Sequence, residues 1–163
     1  MALVDFIPHE GQRRIADAIT AAERHTTGEI CVHVTPRCRG NVMKRATRTF
    51  NRLHLYTTKR RNAVLIFIAY EDRKFAILGD TAINEAVPQG VWDGEVEELG
   101  RYLKAGRQVD GLCEIITRIG ERLSKYFPGE RDDENELSNE VTFDDGEDDD
   151  ETADHNDDYG NME

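Results

Sequence analysis

Glu29, Asn62 and Asp80 are the side chains of this sequence best placed to do chemistry, because each stands where an apolar run begins or ends. Carboxylate and amide oxygens are hard donors, and several of them at one sheet edge can hold Ca2+ or Mg2+. The same residues also have a structural reading, in which Asp80 caps a short helix at Ala82 and Glu29 pairs with a nearby base at a solvated edge. A second group is basic. Residues 37–61 contain nine Lys and Arg and no acid. Such a field attracts phosphate-rich ligands, with Arg45, Arg48, Arg52, Lys59 and Arg61 as candidate anion-binding residues. Phe50, His54 and Tyr56 are interleaved with them, but Phe50 falls on an apolar stripe and reads as core. Without a nucleic-acid-binding fold, the stretch also reads as the solvated basic face of a helix, and nucleic acid is a lesser partner than protein.

No catalytic residue is assigned. A phosphatase needs a nucleophile or a metal-bound water, plus groups that stabilise charge on the transferring phosphoryl oxygens. The chain has no Walker-type loop, no Cys-x5-Arg loop, no DxDxT and no RHG. His33 alternates onto a strand face and reads as a packed histidine, whereas His54 lies in a loop and is the better general-base candidate. Cys31, Cys38 and Cys113 are odd in number and lack CxxC or Cys/His spacing, so they indicate neither a disulfide framework nor a zinc site.

Pro8 opens a stretch in which Ile15, Ala18, Ile19 and Ala22 recur at helical spacing, with Gly28 as a left-handed stop. Glu29–Thr35 alternates, with Ile30, Val32 and Val34 on one face and Cys31, His33 and Thr35 on the other, and Pro36 ends the ladder. Residues 41–53 return to helical spacing, Val42, Ala46, Phe50 and Leu53 against Lys44, Arg45, Arg48 and Arg52. The run AVLIFIA at 63–69 is apolar throughout, as a central strand covered on both faces must be. Glu71-Asp72-Arg73 then turns the chain into a hairpin whose return strand, residues 74–78, ends at Gly79-Asp80. Two more helices follow, one carrying Val91, Trp92, Val96, Leu99 and Leu103, the other Leu112, Ile115, Ile116, Ile119, Leu123 and Phe127, with 106–110 between them. The order αβαββαα predicts an α/β fold, a three-layer α/β/α sandwich with a small mixed sheet. A right-handed crossover makes the first two strands parallel, and the hairpin makes the third antiparallel. If the first two strands are adjacent, that topology puts Glu29, Asn62 and Asp80 on one edge. Parallel α/β sheets more often bind ligands at the opposite edge, here near Pro36 and Glu71-Asp72.

Charge divides the chain after Pro128-Gly129. Of the thirty-three acids, seventeen fall in residues 130–163 with a single base, Arg131, leaving twenty bases against sixteen acids before them. The net −12 is therefore a tail of −16 on a body of +4. Apolar content collapses at the same point, and such a segment cannot bury enough surface to offset its ordering entropy. The expectation is one folded domain over 1–129 and an acidic, mostly disordered tail over 130–163, drawn electrostatically to the basic stretch. The stretch DDGEDDDETADHNDD lacks the offsets of an EF-hand loop. There is no basic-then-apolar leader and no run long enough to cross a bilayer, so the expectation is a cytoplasmic protein without membrane insertion.

With this order of elements, the segments TTGEICVHV, RNAVLIFIAYEDRKFAILGD, INEAVPQGVWDGEVEEL and GLCEIITRIGERLSKYFP resemble the TPM domain family. FAILGD is the most specific of these stretches, and the resemblance runs over residues 6–137. It is closest to the short bacterial branch that lacks a signal peptide and membrane anchor. The resemblance implies an α/β/α sandwich, acid phosphatase activity reported for some members, divalent-cation binding in others, and accessory roles with macromolecular complexes. Many members have a glycine-rich turn followed by a glutamate after the third strand, whereas this chain reads Gly79-Asp80-Thr81-Ala82-Ile83-Asn84-Glu85. By resemblance, an acidic site rests on Asp80, with Glu85 as a looser match. A metal-assisted phosphatase would use Asp80 and Glu29, with Lys59 or Arg61 near the phosphate. The leading expectation is a non-catalytic accessory protein.

Overall fold

The apolar run at Ala63–Ala69 forms β2, buried at every residue, in a computed structural model that describes residues 2–129 and 135–146. β1 (Glu29–Thr35) pairs with it in parallel and β3 (Lys74–Gly79) antiparallel, in register Val32 to Ile66 and Ile66 to Ile77. A two-residue strand, β4 (Thr142–Phe143), runs parallel to β1 on its other side, giving the order β3-β2-β1-β4. The helices are α1 (Leu3–Phe6), α2 (His9–Glu23), α3 (Val42–Arg52), α4 (Thr81–Ala86), α5 (Asp93–Lys104) and α6 (Gln108–Tyr126).

Period-two alternation divides the sheet between two cores. Ile30, Val32, Val34, Val64, Ile66 and Ile68 pack with Ile15 and Ile19 of α2, Leu99 of α5 and Ile115 and Ile119 of α6. Cys31, Leu65 and Phe67 face the other way, toward Ala46 and Phe50 of α3 and toward Leu55. The result is the expected three layers. Each fully buried aliphatic side chain contributes about 1.5–3 kcal/mol, so the thicker layer under α2, α5 and α6 supplies most of the apolar stabilisation.

Helix ends follow local chemistry. The Asn41 side chain accepts from Lys44 N at 3.0 Å to open α3, and Gly106, at φ +73°, makes the turn into α6. That helix starts at Gln108, inside the stretch expected to separate it from α5. Gly28 is not a left-handed stop, since α2 ends at Glu23 and Gly28 has no positive φ. Its role is space: a Cβ there would stand 2.9 Å from Leu123 Cδ1.

The larger departure is at the C-terminal end. Residues 135–146 belong to the stretch expected to be tail, yet Val141 is buried in the α2–α6 core, Leu137 packs on the α3 side and β4 extends the sheet. A few apolar residues spaced among acids suffice because they meet a surface already formed, whereas window-averaged composition counts only the acids. The rest of the expected tail, 130–134 and 147–163, lies outside the described residues. Among the described residues no helix is long and apolar enough to cross a membrane.

Candidate functional site

Topology brings Glu29, Asn62 and Asp80 to one edge of the sheet. Glu29 N donates to Asn62 O at 3.3 Å and Asp80 N donates to Ala63 O at 2.9 Å. Their side chains then part. Asp80 accepts from Arg61 Nε at 2.7 Å and Nη2 at 2.8 Å, and caps α4 by accepting from Thr81 N at 2.7 Å. Asn62 Nδ2 donates to Thr27 Oγ1 at 3.0 Å. Among the described residues no base pairs with Glu29, which differs from the expectation: its Oε1 accepts the amides of Glu136 at 2.9 Å and Leu137 at 2.7 Å. Glu85 is exposed on α4. The four expected ligands therefore do not converge on one point. Among the described residues no group of three or more His, Cys, Asp or Glu is gathered as a metal ion would require.

Glu29 instead faces a cleft of about 250 Å3 that Glu23, Arg24, Asn135 and Asn139 also line. Burial pushes its carboxyl up to about 7; the Leu137 amide pulls it down and the Glu136 charge pushes it up again. Glu23 Oε2 accepts from Ile30 N at 2.8 Å, covering an edge amide of β1 that no strand among the described residues reaches. An acid in the last turn of a helix opposes the helix dipole, and that is the sequence signal by which Glu23 stands out.

The five expected anion-binding residues do not form one patch. Arg45 and Arg48 are only 1% and 5% exposed, so this face of α3 is not solvated. The Arg45 guanidinium lies 5.6 Å from the centre of the Phe67 ring, donates from Nη1 to Arg37 O at 3.1 Å and from Nη2 to Asp144 Oδ2 at 3.1 Å. Arg61 is held by Asp80, while Lys59 and Arg52 are exposed. Asp144 also accepts from His33 Nε2 at 2.8 Å, from the Thr35 hydroxyl and from Gly146 N at 2.8 Å. Burial alone would raise its carboxyl, but the hydrogen bonds from His33, Thr35 and Gly146 and the His33 charge outweigh that and hold it well below the usual range. His33 is the packed histidine its strand position predicts, stacked on Phe67 with 6.1 Å between ring centres. His54, exposed at φ 58°, has Nδ1 3.0 Å from the Tyr56 hydroxyl.

A sequence profile of the TPM domain matches residues 3–122. This chain belongs to the TPM domain family. Among solved structures, the NMR structure of BA42 from the psychrophilic bacterium Bizionia argentinensis sp. nov. is similar, at 38% identity and a TM-score of 0.78, covering 83% of this chain and 93% of BA42. No curated protein matches. Beside the TPM domain, Asp144 joins Glu23 as a residue that sequence reasoning did not single out. It lies beyond the matched span, in a stretch whose acidity hides which one of many carboxylates meets a buried base.

Proposed function

We propose that this TPM-domain protein is a non-catalytic accessory protein of the cytoplasm that acts by binding macromolecular partners. The observation that carries this reading is that its best-placed carboxylates are already committed to the fold. Both oxygens of Asp80 are taken by Arg61, with Oδ1 also accepting the Thr81 amide, and Glu29 Oε1 holds two amides of the passing chain. Metal-assisted phosphoryl transfer needs carboxylate lone pairs for the ion and cations aimed at the phosphate. Here Asp80 and Arg61 each occupy the other. The test is turnover of p-nitrophenyl phosphate by extensively purified protein with Mg2+, Ca2+ or Mn2+. No rate above buffer is expected. A rate that survives purification and disappears in Asp80→Asn would instead favour the metal-dependent phosphatase that the family resemblance implies.

A second reading, binding of Ca2+ or Mg2+, is favoured by one observation: two carboxylates, Glu23 and Glu29, and two amides, Asn135 and Asn139, line the same cleft. These are hard oxygen donors, though fewer than a dedicated site uses. Calorimetry with CaCl2 should give weak binding that is lost in Glu29→Gln with Glu23→Gln and kept in Asp80→Asn. No heat with the unaltered protein removes this reading without touching the first.

A further inference from the structure

At the edge of the sheet opposite Glu29 and Asp80, a cavity of about 330 Å3 opens between the β2–β3 hairpin, α1 and α5. Its walls are apolar and aromatic. Phe6 stacks on Tyr70 with ring centres 4.8 Å apart and planes 13° from parallel, and Phe75 and Leu103 line the same space. Gly100 keeps it open on the α5 side, where a Cβ would stand 3.1 Å from Phe75 Cζ. Small-molecule sites start at about 300 Å3 and pair such walls with a few polar groups.

Three cationic residues line the cavity, Arg73, Lys74 and Lys104. Lys74 is already used, since its Nζ donates to Cys38 O at 2.8 Å and Gly40 O at 3.0 Å. Arg73 and Lys104 are exposed and have no hydrogen-bond or ion-pair partner among the described residues. Arg73 also sits at φ +55° in the hairpin turn, where Gly or Asn is the usual occupant and a long side chain is uncommon. The turn alone does not ask for an arginine there.

We propose that this cavity binds a small organic anion with a flat apolar body, the body lying against Phe6, Tyr70 and Phe75 and the anionic group meeting Arg73 and Lys104. The location agrees with the general tendency of α/β sheets to bind ligands outside the carboxyl ends of their parallel strands, here the end of β2. Charge complementarity selects an anion over a neutral molecule of the same shape. The proposal is independent of the accessory-protein reading and of the Glu29 cleft, which lies at the other end of the strands.

The probe is 8-anilinonaphthalene-1-sulfonate, with neutral N-phenyl-1-naphthylamine as its uncharged counterpart, titrated into the full chain. The anionic dye should bind saturably at one site with a blue shift, and perturb backbone amide resonances of residues 68–75 and 100–104. Arg73→Glu with Lys104→Glu should weaken it by about tenfold while the neutral dye changes less than about twofold. Both side chains are exposed, so the variant should keep its fold, which the same amide spectrum checks; Lys104→Glu alone should give an intermediate loss. Unchanged affinity in the double variant, equal loss for both dyes, or amide shifts centred elsewhere would each overturn the assignment.

Discussion

Asp144 and Glu29 illustrate how one kind of side chain acquires opposite properties from its surroundings. Asp144 gathers His33, Thr35, Arg45 and a backbone amide, so its ionised form is stabilised. Removing its charge takes from Arg45, only 1% exposed, the carboxylate to which its Nη2 donates. Asp144→Asn should therefore cost about 3 kcal/mol in urea unfolding at pH 7, and Arg45→Met in the same background should recover much of it. Because the folded carboxyl lies below its ordinary value of 3.8, its contribution is present above about pH 4 and fades as pH falls below that. Glu29 runs the other way. Its carboxyl rises from 4.5 to about 7 on folding, so its contribution is complete below pH 4.5 and is lost as pH rises through 7. Glu29→Gln keeps an oxygen acceptor for the amides of Glu136 and Leu137 and removes that loss. It should raise stability by about 1–3 kcal/mol at pH 8 and change it little at pH 5; equal effects at both pH values would contradict the burial of this carboxyl.

At the scale of elements, the outer edge of β1 is where the fold is most exposed to error. Edge strands with unpaired amides and carbonyls template association between chains, and β1 is buried at all seven residues. Glu23 covers Ile30 N, Thr142 Oγ1 donates to Val32 O at 3.3 Å and Asp144 N donates to Val34 O at 3.2 Å. A chain ending at residue 134 loses the last two of these together with Leu137 and Val141. It should unfold at lower temperature and self-associate in light scattering, whereas a chain ending at 146 should behave as the full chain does. Monomeric, equally stable protein from the shorter chain would show that the strap formed by residues 135–146 is dispensable. The α2–α6 interface is sensitive for a different reason. A Cβ on Gly120 would lie 2.7 Å from Ala22 Cβ and 3.2 Å from its Cα and O, and backbone cannot rotate away. Gly120→Val should destabilise by about 1–3 kcal/mol in spite of its better helix propensity, and Ala22→Gly should relieve part of the strain.

For the molecule as a whole, charge rather than packing sets the expected behaviour toward polyanions. Deleting residues 147–163 removes nine acids and no base, taking the net charge from −12 to −3 while leaving the strap in place. Affinity for heparin at low salt should rise, and the gain should vanish near 1 M salt, where the Debye length is about 3 Å. The residues to reverse are the exposed Arg52 and Lys59, since Arg45 and Arg48 are buried. Identical heparin binding with and without 147–163 would mean that these acids do not oppose polyanions.

Local patterns determined the three strands and the main helices, because burial on one face imposes periods of two and 3.6, and burial on both faces an unbroken apolar run, that the sequence must carry locally. Given adjacent first and second strands, they also put Glu29, Asn62 and Asp80 on one edge, since that then follows from strand direction; the adjacency itself came from the fold. What those side chains touch was decided only by the tertiary structure. Asp80 meets Arg61, nineteen residues away, while Glu29 meets amides more than a hundred residues away, and no local pattern encodes such a pairing. The strap shows the same limit most plainly: Leu137, Val141, Thr142 and Asp144 are sparse in an acidic stretch. They order because β1 presents an unpaired edge and α3 a buried arginine, features that exist only once the rest of the chain has folded.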